Sequence, residues 1–234
     1  MNWDLTQFSP EQTIQEQTLD RSAMERLGTD ASAKWLLEDC ELGGDFSRLD
    51  LSGFVFRRCM LVETSWSAAN LEDTQWLQCR AGLASFERAK LTDSRFEGCD
   101  LNNTRWRHAK LASAAFRGCK LTGANFEGVA ALGLDFSESL LVGAALSGMS
   151  FRKQRLEELD FSDADLSGCD FREAVFVGGS LRNAHIPQAN FGSADLRGAD
   201  LGGLKMLDAK AFSKAVISQA QAAAILASFG LLVS

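Results

Sequence analysis

An all-β fold of short extended segments, turned every five residues, is what this sequence predicts, and three observations predict it. A large apolar residue recurs at every fifth position from Phe46 to Met206: 31 of the 33 positions hold Leu, Phe, Trp, Ile or Met, with Ala81 and Ala131 the exceptions. Two residues before each centre, 25 of the 33 positions hold Ala, Cys, Gly, Ser or Thr. The register never slips, and the stretch ANFGSADLRGADL (Ala189 to Leu201) shows it plainly. Five is neither the helix period of 3.6 nor the strand period of 2. A fixed short period is the mark of a stacked repeat architecture.

The elements follow in chain order. Residues 1–43 lie before the repeat; Ser9, Pro10 and Gln12 read as a capping box with Pro at the first helical position. Ile14, Met24, Leu27, Trp35, Leu36 and Leu37 are expected to form one or two helices over the first coil. Residues 44–208 carry the repeat. Its centres Phe46, Leu51, Phe56, Trp66, Trp76, Phe96, Trp106, Phe116, Phe126, Phe136, Phe171 and Phe191 are expected to stack as an internal ladder. Asp or Asn just before a centre (Asp45, Asp50, Asn70, Asn125, Asp165, Asn190, Asp195) suits a bend, since a short polar side chain bonds nearby backbone. Gly98, Gly118 and Gly198 suit it too. Residues 209–234 follow, with a second capping box, Ser218 and Gln221, opening a helix that stops at Gly230.

These motifs resemble the pentapeptide-repeat family, A-[DN]-[LF]-x-x, over about residues 44–208. The resemblance implies a right-handed quadrilateral β-helix with four pentapeptides per coil, so about eight coils, roughly 40 Å long at a strand spacing of ~4.8 Å. A solenoid of this kind needs both ends covered. The stretch AAAILASFGLLVS is similar to the C-terminal helix and tail of the Qnr-type quinolone-resistance proteins, and GVAALGLDF (Gly128 to Phe136) to a mid-rod Qnr segment. That narrower resemblance implies a head-to-head homodimer, here through Ile225, Leu226, Phe229, Leu231 and Leu232. It also implies a rod that mimics DNA at a bacterial type II topoisomerase (DNA gyrase). The register-breaking loops that many Qnr proteins carry are missing.

Candidate chemistry is sparse. Cys59, Cys79, Cys99 and Cys119 are 20 residues apart and should form a column, with Cys169 in the same kind of slot and Cys40 outside the repeat. A column lays thiols along a line, whereas tetrahedral zinc needs them to converge; these cysteines read as small packed hydrophobes. His108 and His185, the two histidines, are far apart, with no Ser or Cys placed to form a nucleophile pair. The sequence therefore predicts no enzyme, no metal and no cofactor. With no basic-then-apolar leader and no membrane-length apolar run, it predicts a cytoplasmic protein.

The charge is uneven. Residues 80–120 hold nine Lys or Arg against four acids, whereas 121–208 hold 13 acids against seven bases. Asp135, Glu138, Asp160, Asp163, Asp165, Asp195 and Asp200 are the expected acidic surface for a basic partner site. The basic belt alternates with acids, and direct nucleic-acid binding is not expected from it. The alternative is a rigid scaffold for an unrelated protein. That reading uses the N-terminal extension or the irregular stretch 140–161, where Met149, Gln154 and Leu159 occupy small slots and the coil is expected to distort.

Overall fold

The computed structural model describes residues 8–29, 33–205 and 209–231, and the chain is a β-solenoid of about eight turns. It divides into two compact units, Met1–Phe136 and Ser137–Ser234.

Each pentapeptide makes one side of a coil. The centre and the small residue two before it point inward. The residue two after the centre turns the corner in the left-handed region: from position 48 to 203, 31 of the 32 such residues have positive φ, 20 of them not glycine. That conformation aims the corner N–H along the solenoid axis, as in Arg48 N–H to the Ser67 carbonyl (3.1 Å) and Arg88 N–H to the Arg107 carbonyl (2.9 Å). The strain, of order 1 kcal/mol per non-glycine residue, is thus a general cost of the corner, so no single left-handed residue marks a site. The Asp or Asn before the centre accepts the amide two residues on, as Asp45 does from Ser47 (2.8 Å), Asp165 from Ser167 (3.0 Å) and Asp200 from Gly202 (2.8 Å). Gly198 is the exception to the corner rule: its φ is not positive, and a Cβ there would lie 2.5 Å from the Phe176 carbonyl oxygen.

In the first unit the parallel sheet runs β1 (Thr13–Gln15), β3 (Leu36–Glu38), β5 (Val55–Arg57), β6 (Gln75–Leu77), β7 (Arg95–Glu97), β8 (Ala115–Arg117). A two-stranded sheet pairs β2 (Thr18–Leu19) with β4 (Glu41–Leu42). Ile14, Leu37, Phe56, Trp76, Phe96 and Phe116 are in register. The described residues before 44 therefore coil as the repeat does, and among them Arg21–Leu27 (α1) is the one α-helical segment. Helix α1 is capped by Asp20, buries Met24 completely and donates from Arg21 to the Asp45 and Ser47 carbonyls (2.8 and 3.2 Å). Phe8 packs outside on Leu36, Val55 and Leu77.

The ladder centres are buried. Rings in successive coils stack, Phe56 on Trp76 at 4.1 Å and Phe86 on Trp106 at 4.2 Å, while neighbours round the coil meet edge-on. Offset and edge-to-face contacts of this kind add stability beyond the area buried.

In the second unit β9 (Arg155–Glu157) pairs with β10 (Val175–Val177), and isolated bridges carry the register to Asp195↔Val216. Phe151, Phe171, Phe191 and Phe212 stack in turn. The distortion expected at 140–161 is absent: Lys153 and Glu158 hold regular corners, Met149 and Leu159 are buried, and Gln154 is only half-buried. Its amide end reaches partial solvent, which removes the penalty for an unpartnered buried polar group. Gly179 makes room for the bulk in the slot below, since a Cβ there would overlap the Leu159 carbonyl. Helix α2 (Gln219–Ser228) closes this unit. Its Ser218–Gln221 capping box forms, and Gln221 Nε2 donates to the Leu196 and Ala199 carbonyls at 2.8 Å each.

Candidate functional site

Outward side chains stand in columns, one rung per coil, about 4.8 Å apart. Whether a column is neutralised within the chain or left for a partner depends on what occupies neighbouring rungs.

The seven carboxylates of the expected acidic surface differ in how they are partnered. Asp135 belongs to the first unit, where Arg117 reaches it at 3.6 Å. Asp195 is held by Arg197 and Asp200 by Arg182, each at 2.6 Å. The Arg197 hydrogen bond lowers the Asp195 pKa; the Gly202 amide, with Arg182 behind it, lowers that of Asp200. Asp165 is partly desolvated, but hydroxyl bonds from Ser167 and Ser147 (2.5 and 2.7 Å) outweigh this and hold its pKa down. These four carboxylates are committed to the fold.

Glu138, Asp160 and Asp163 take part in none of the ion pairs found among the described residues, and Glu158, which the sequence reading did not single out, joins them. Glu138 and Glu158 turn corners one rung apart, the Glu158 amide lying in the coil that follows Glu138; Asp160 bridges Leu140, and Asp163 turns the next corner. All four lie within two rungs of the second unit. The signal for Glu158 was present in the sequence, since it stands 20 residues after Glu138.

At the C-terminal cap α2 buries none of its residues. Ile225 is half-buried, Leu226 is 40% exposed, Phe229 65% and Leu231 54%. Leu232 lies outside the described residues. A second apolar exposure, Met60, Val62 and Leu83 at 39–44%, lies on one side of the first unit.

The six cysteines are free and buried. Cys40, Cys59, Cys79, Cys99 and Cys119 occupy five successive coils, and each thiol donates to a carbonyl of the preceding coil, 3.2 Å for Cys99 to Trp76. Burial pushes the pKa of Cys99 up and that of Cys169 to about 12. Among the described residues no three or more metal-ligating side chains gather. His108 lies in the first unit and His185 in the second, beside Asp165. No helix among the described residues is long and apolar enough to cross a membrane.

The chain matches a family model described as "Pentapeptide repeat region" over residues 49–126 and 82–146, and "Pentapeptide repeats (8 copies)" over 135–172 and 164–203. No curated protein matches it. Among solved structures, a trypsin-treated form of QnrB1, a plasmid-mediated fluoroquinolone resistance protein, is 23% identical with a TM-score of 0.73, covering 85% of this chain and 100% of that one. Full-length QnrB1 is 19% identical with a TM-score of 0.71, covering 94% and 100%. The pentapeptide repeat protein Rfr23 from the cyanobacterium Cyanothece 51142 is 21% identical with a TM-score of 0.45, covering 49% and 93%.

Proposed function

The chain belongs to the pentapeptide-repeat family, and from that premise we propose that it is a non-enzymatic DNA mimic that binds a bacterial type II topoisomerase, DNA gyrase, and so confers resistance to a quinolone or a gyrase-directed toxin. The observation that carries this reading is the group of carboxylates outside the ion pairs of the described residues, Glu138, Glu158, Asp160 and Asp163, which spans two successive corners and in which Asp160 also accepts the Ser162 amide (2.9 Å). Rungs ~4.8 Å apart present charge at a density of the same order as one DNA strand, which carries a phosphate every ~3.4 Å of helix axis. A basic saddle built for DNA would meet complementary potential there. QnrB1, which shares the fold, is a fluoroquinolone resistance protein, and the exposed apolar cap on α2 supports a homodimer.

The test is to titrate the purified protein into gyrase supercoiling and quinolone-stabilised cleavage assays. Inhibition or relief by the natural chain, lost in Glu138→Gln/Glu158→Gln/Asp160→Asn/Asp163→Asn, supports the reading. No effect of the natural chain in either assay removes it. The second reading, a rigid scaffold for another protein, is favoured by exposed Met60, Val62 and Leu83. It expects Met60→Lys/Leu83→Lys to abolish partner binding while the acidic-edge variant binds normally.

A further inference from the structure

The basic belt of the first unit is not evenly distributed once the chain is coiled. Arg80 and Lys120 sit on either side of Asp100 in one column, bridged rung to rung, so that an acid separates the two cations there. Arg105 is met by Glu87 at 3.6 Å and Arg107 by Glu127 at 3.2 Å. Another column does the opposite. It reads Asp50, Asn70, Lys90, Lys110, and Lys90 and Lys110 are directly bridged neighbours. Lower in the same column Asn70 Nδ2 donates to Asp50 at 3.0 Å, which shows what a favourable pair of rungs looks like. Like charges directly opposite on adjacent strands destabilise a sheet.

The corner just before this column adds to it. Arg88 and His108 turn it with φ +57° and +58°, at positions where the next coil uses Gly128. Arg88, Lys90, His108 and Lys110 are all exposed and fall on one edge within two coils. No ion pair with a carboxylate takes up any of the four among the described residues.

We propose that this edge binds the phosphate backbone of a nucleic acid. Aligned cations without acids among them neutralise successive phosphates and release their counterions, the sequence-independent mode of binding. The surroundings favour phosphates over an acidic protein segment. All three Trp centres of these coils and their neighbours, Trp66, Trp76 and Trp106, are sealed inside, and the exposed apolar side chains Leu83 and Leu132 belong to a different side and to the next coil. The edge therefore offers charge with a single exposed apolar neighbour, Leu132, two residues past the Ala130 that bridges Lys110, whereas protein interfaces draw most of their energy from clusters of buried anchors. This edge is separate from the carboxylates proposed to meet a topoisomerase, which belong to the other unit.

The experiment is fluorescence anisotropy of a labelled mixed-sequence DNA duplex titrated with the full chain from ~50 to ~200 mM salt. With three permanent cations engaged, the slope of log K against log salt is expected near −2.7, roughly 0.9 per contact. Lys90→Gln/Lys110→Gln is expected to weaken binding at least tenfold at the low-salt end and to bring the slope near −0.9, about one contact. These side chains are exposed, and an unchanged thermal melt confirms that the variant is folded. Lys153→Gln/Lys205→Gln, the same charge change in the second unit, is expected to leave binding close to that of the natural chain. Three results each overturn the proposal: no binding at low salt, equal weakening by the two double variants, or displacement of the duplex by poly-glutamate as readily as by unlabelled DNA. The last would assign the edge to an acidic protein segment.

Discussion

Trp106 Nε1 donates to Thr104 Oγ1 at 2.7 Å, and that hydroxyl in turn donates to the Leu101 carbonyl at 2.6 Å. The same relay joins Trp66 to Thr64 and Trp76 to Thr74. A buried indole N–H without a partner carries a desolvation cost. At these three centres the Thr in the small slot two residues before supplies the acceptor, whereas the buried Trp35 Nε1 has no partner among the described residues. Thr104→Val keeps the shape and deletes the acceptor, leaving a fully buried donor unsatisfied, which costs about 1–3 kcal/mol. Thr104→Ser keeps the hydroxyl and loses only a methyl, about 1 kcal/mol. Urea unfolding of the two variants should rank them in that order; equal losses would mean that packing, not the hydrogen bond, is what Thr contributes.

Two glycines separate backbone strain from steric exclusion. Gly118 turns a corner at φ +58° with nothing within 4 Å of a built Cβ, so Gly118→Ala should cost only the left-handed strain, about 1 kcal/mol. A Cβ on Gly198 would lie 2.5 Å from the Phe176 carbonyl and 3.0 Å from the Gly178 nitrogen, both backbone atoms. Neither can move without disturbing the coil, so Gly198→Ala should lose more, by about 1–3 kcal/mol of overpacking. Thermal melts that show Gly118→Ala to be the worse variant would contradict this geometry.

The five-residue period made the coil legible because between 44 and 208 the centre is large and apolar at 31 of its 33 positions and the slot two before it is small at 25 of 33. It failed before that, for a reason of spacing. Leu37 to Leu42 is one regular step, but Leu42 to Phe46 is four, and Ile14 pairs with Leu37 across 23 residues because α1 is inserted between them. A strict count from Phe46 cannot see coils so offset. Asp135 and Asp200 are legible as acids, but linear sequence does not say that Arg117 and Arg182 lie a rung away to pair with them. The same limit hid the opposite case, Lys90 beside Lys110.

The carboxylates that bind the bends give the protein an acid limit. Asp45, Asp170, Asp195 and Asp200 all have pKa values below the usual 3.8, held there by the Ser47 hydroxyl, Arg172, Arg197 and the Gly202 amide respectively. A depressed folded-state pKa contributes stability that is present above the unfolded value and is lost as pH falls through the folded one. The melting temperature should therefore be flat near neutrality and fall below about pH 4, since the unfolded carboxyl titrates at ~3.9. Asp195→Asn should shrink that acid loss. A melting temperature that rises on going below pH 4 would contradict the assignment.

The thiols should be silent in the native state. All six are buried and all six donate to carbonyls of the neighbouring coil. Burial raises Cys169 to about 12, whereas Cys59, lowered by its hydrogen bond with Cys40, is shielded by burial from the reagent. The thiolate is the reactive form. A thiol-disulfide reagent should therefore label none at neutral pH in buffer and six in strong denaturant. Rapid labelling of the folded protein would mean that the column opens, and would place the early-reacting cysteine in the part of the coil that frays first.

The C-terminal cap yields the last prediction. Helix α2 and the residues that follow it present Leu226, Phe229 and Leu231 to solvent, and the helix buries nothing of its own, although its sequence is largely apolar. Singly exposed hydrophobes are ordinary, but a terminal helix with an apolar surface on several sides is a surface awaiting a partner. If that partner is a second copy, Phe229→Glu places a charge in the centre of the interface and should turn a dimer into a monomer in sedimentation equilibrium. Its melting temperature at dilution should be nearly unchanged, because Phe229 is 65% exposed and contributes little to the monomer fold. Loss of stability in step with dissociation would instead mean that the cap and the last coil fold only as a pair. A natural chain that sediments as a monomer at all concentrations would leave the acidic edge of one copy as the whole topoisomerase-binding surface.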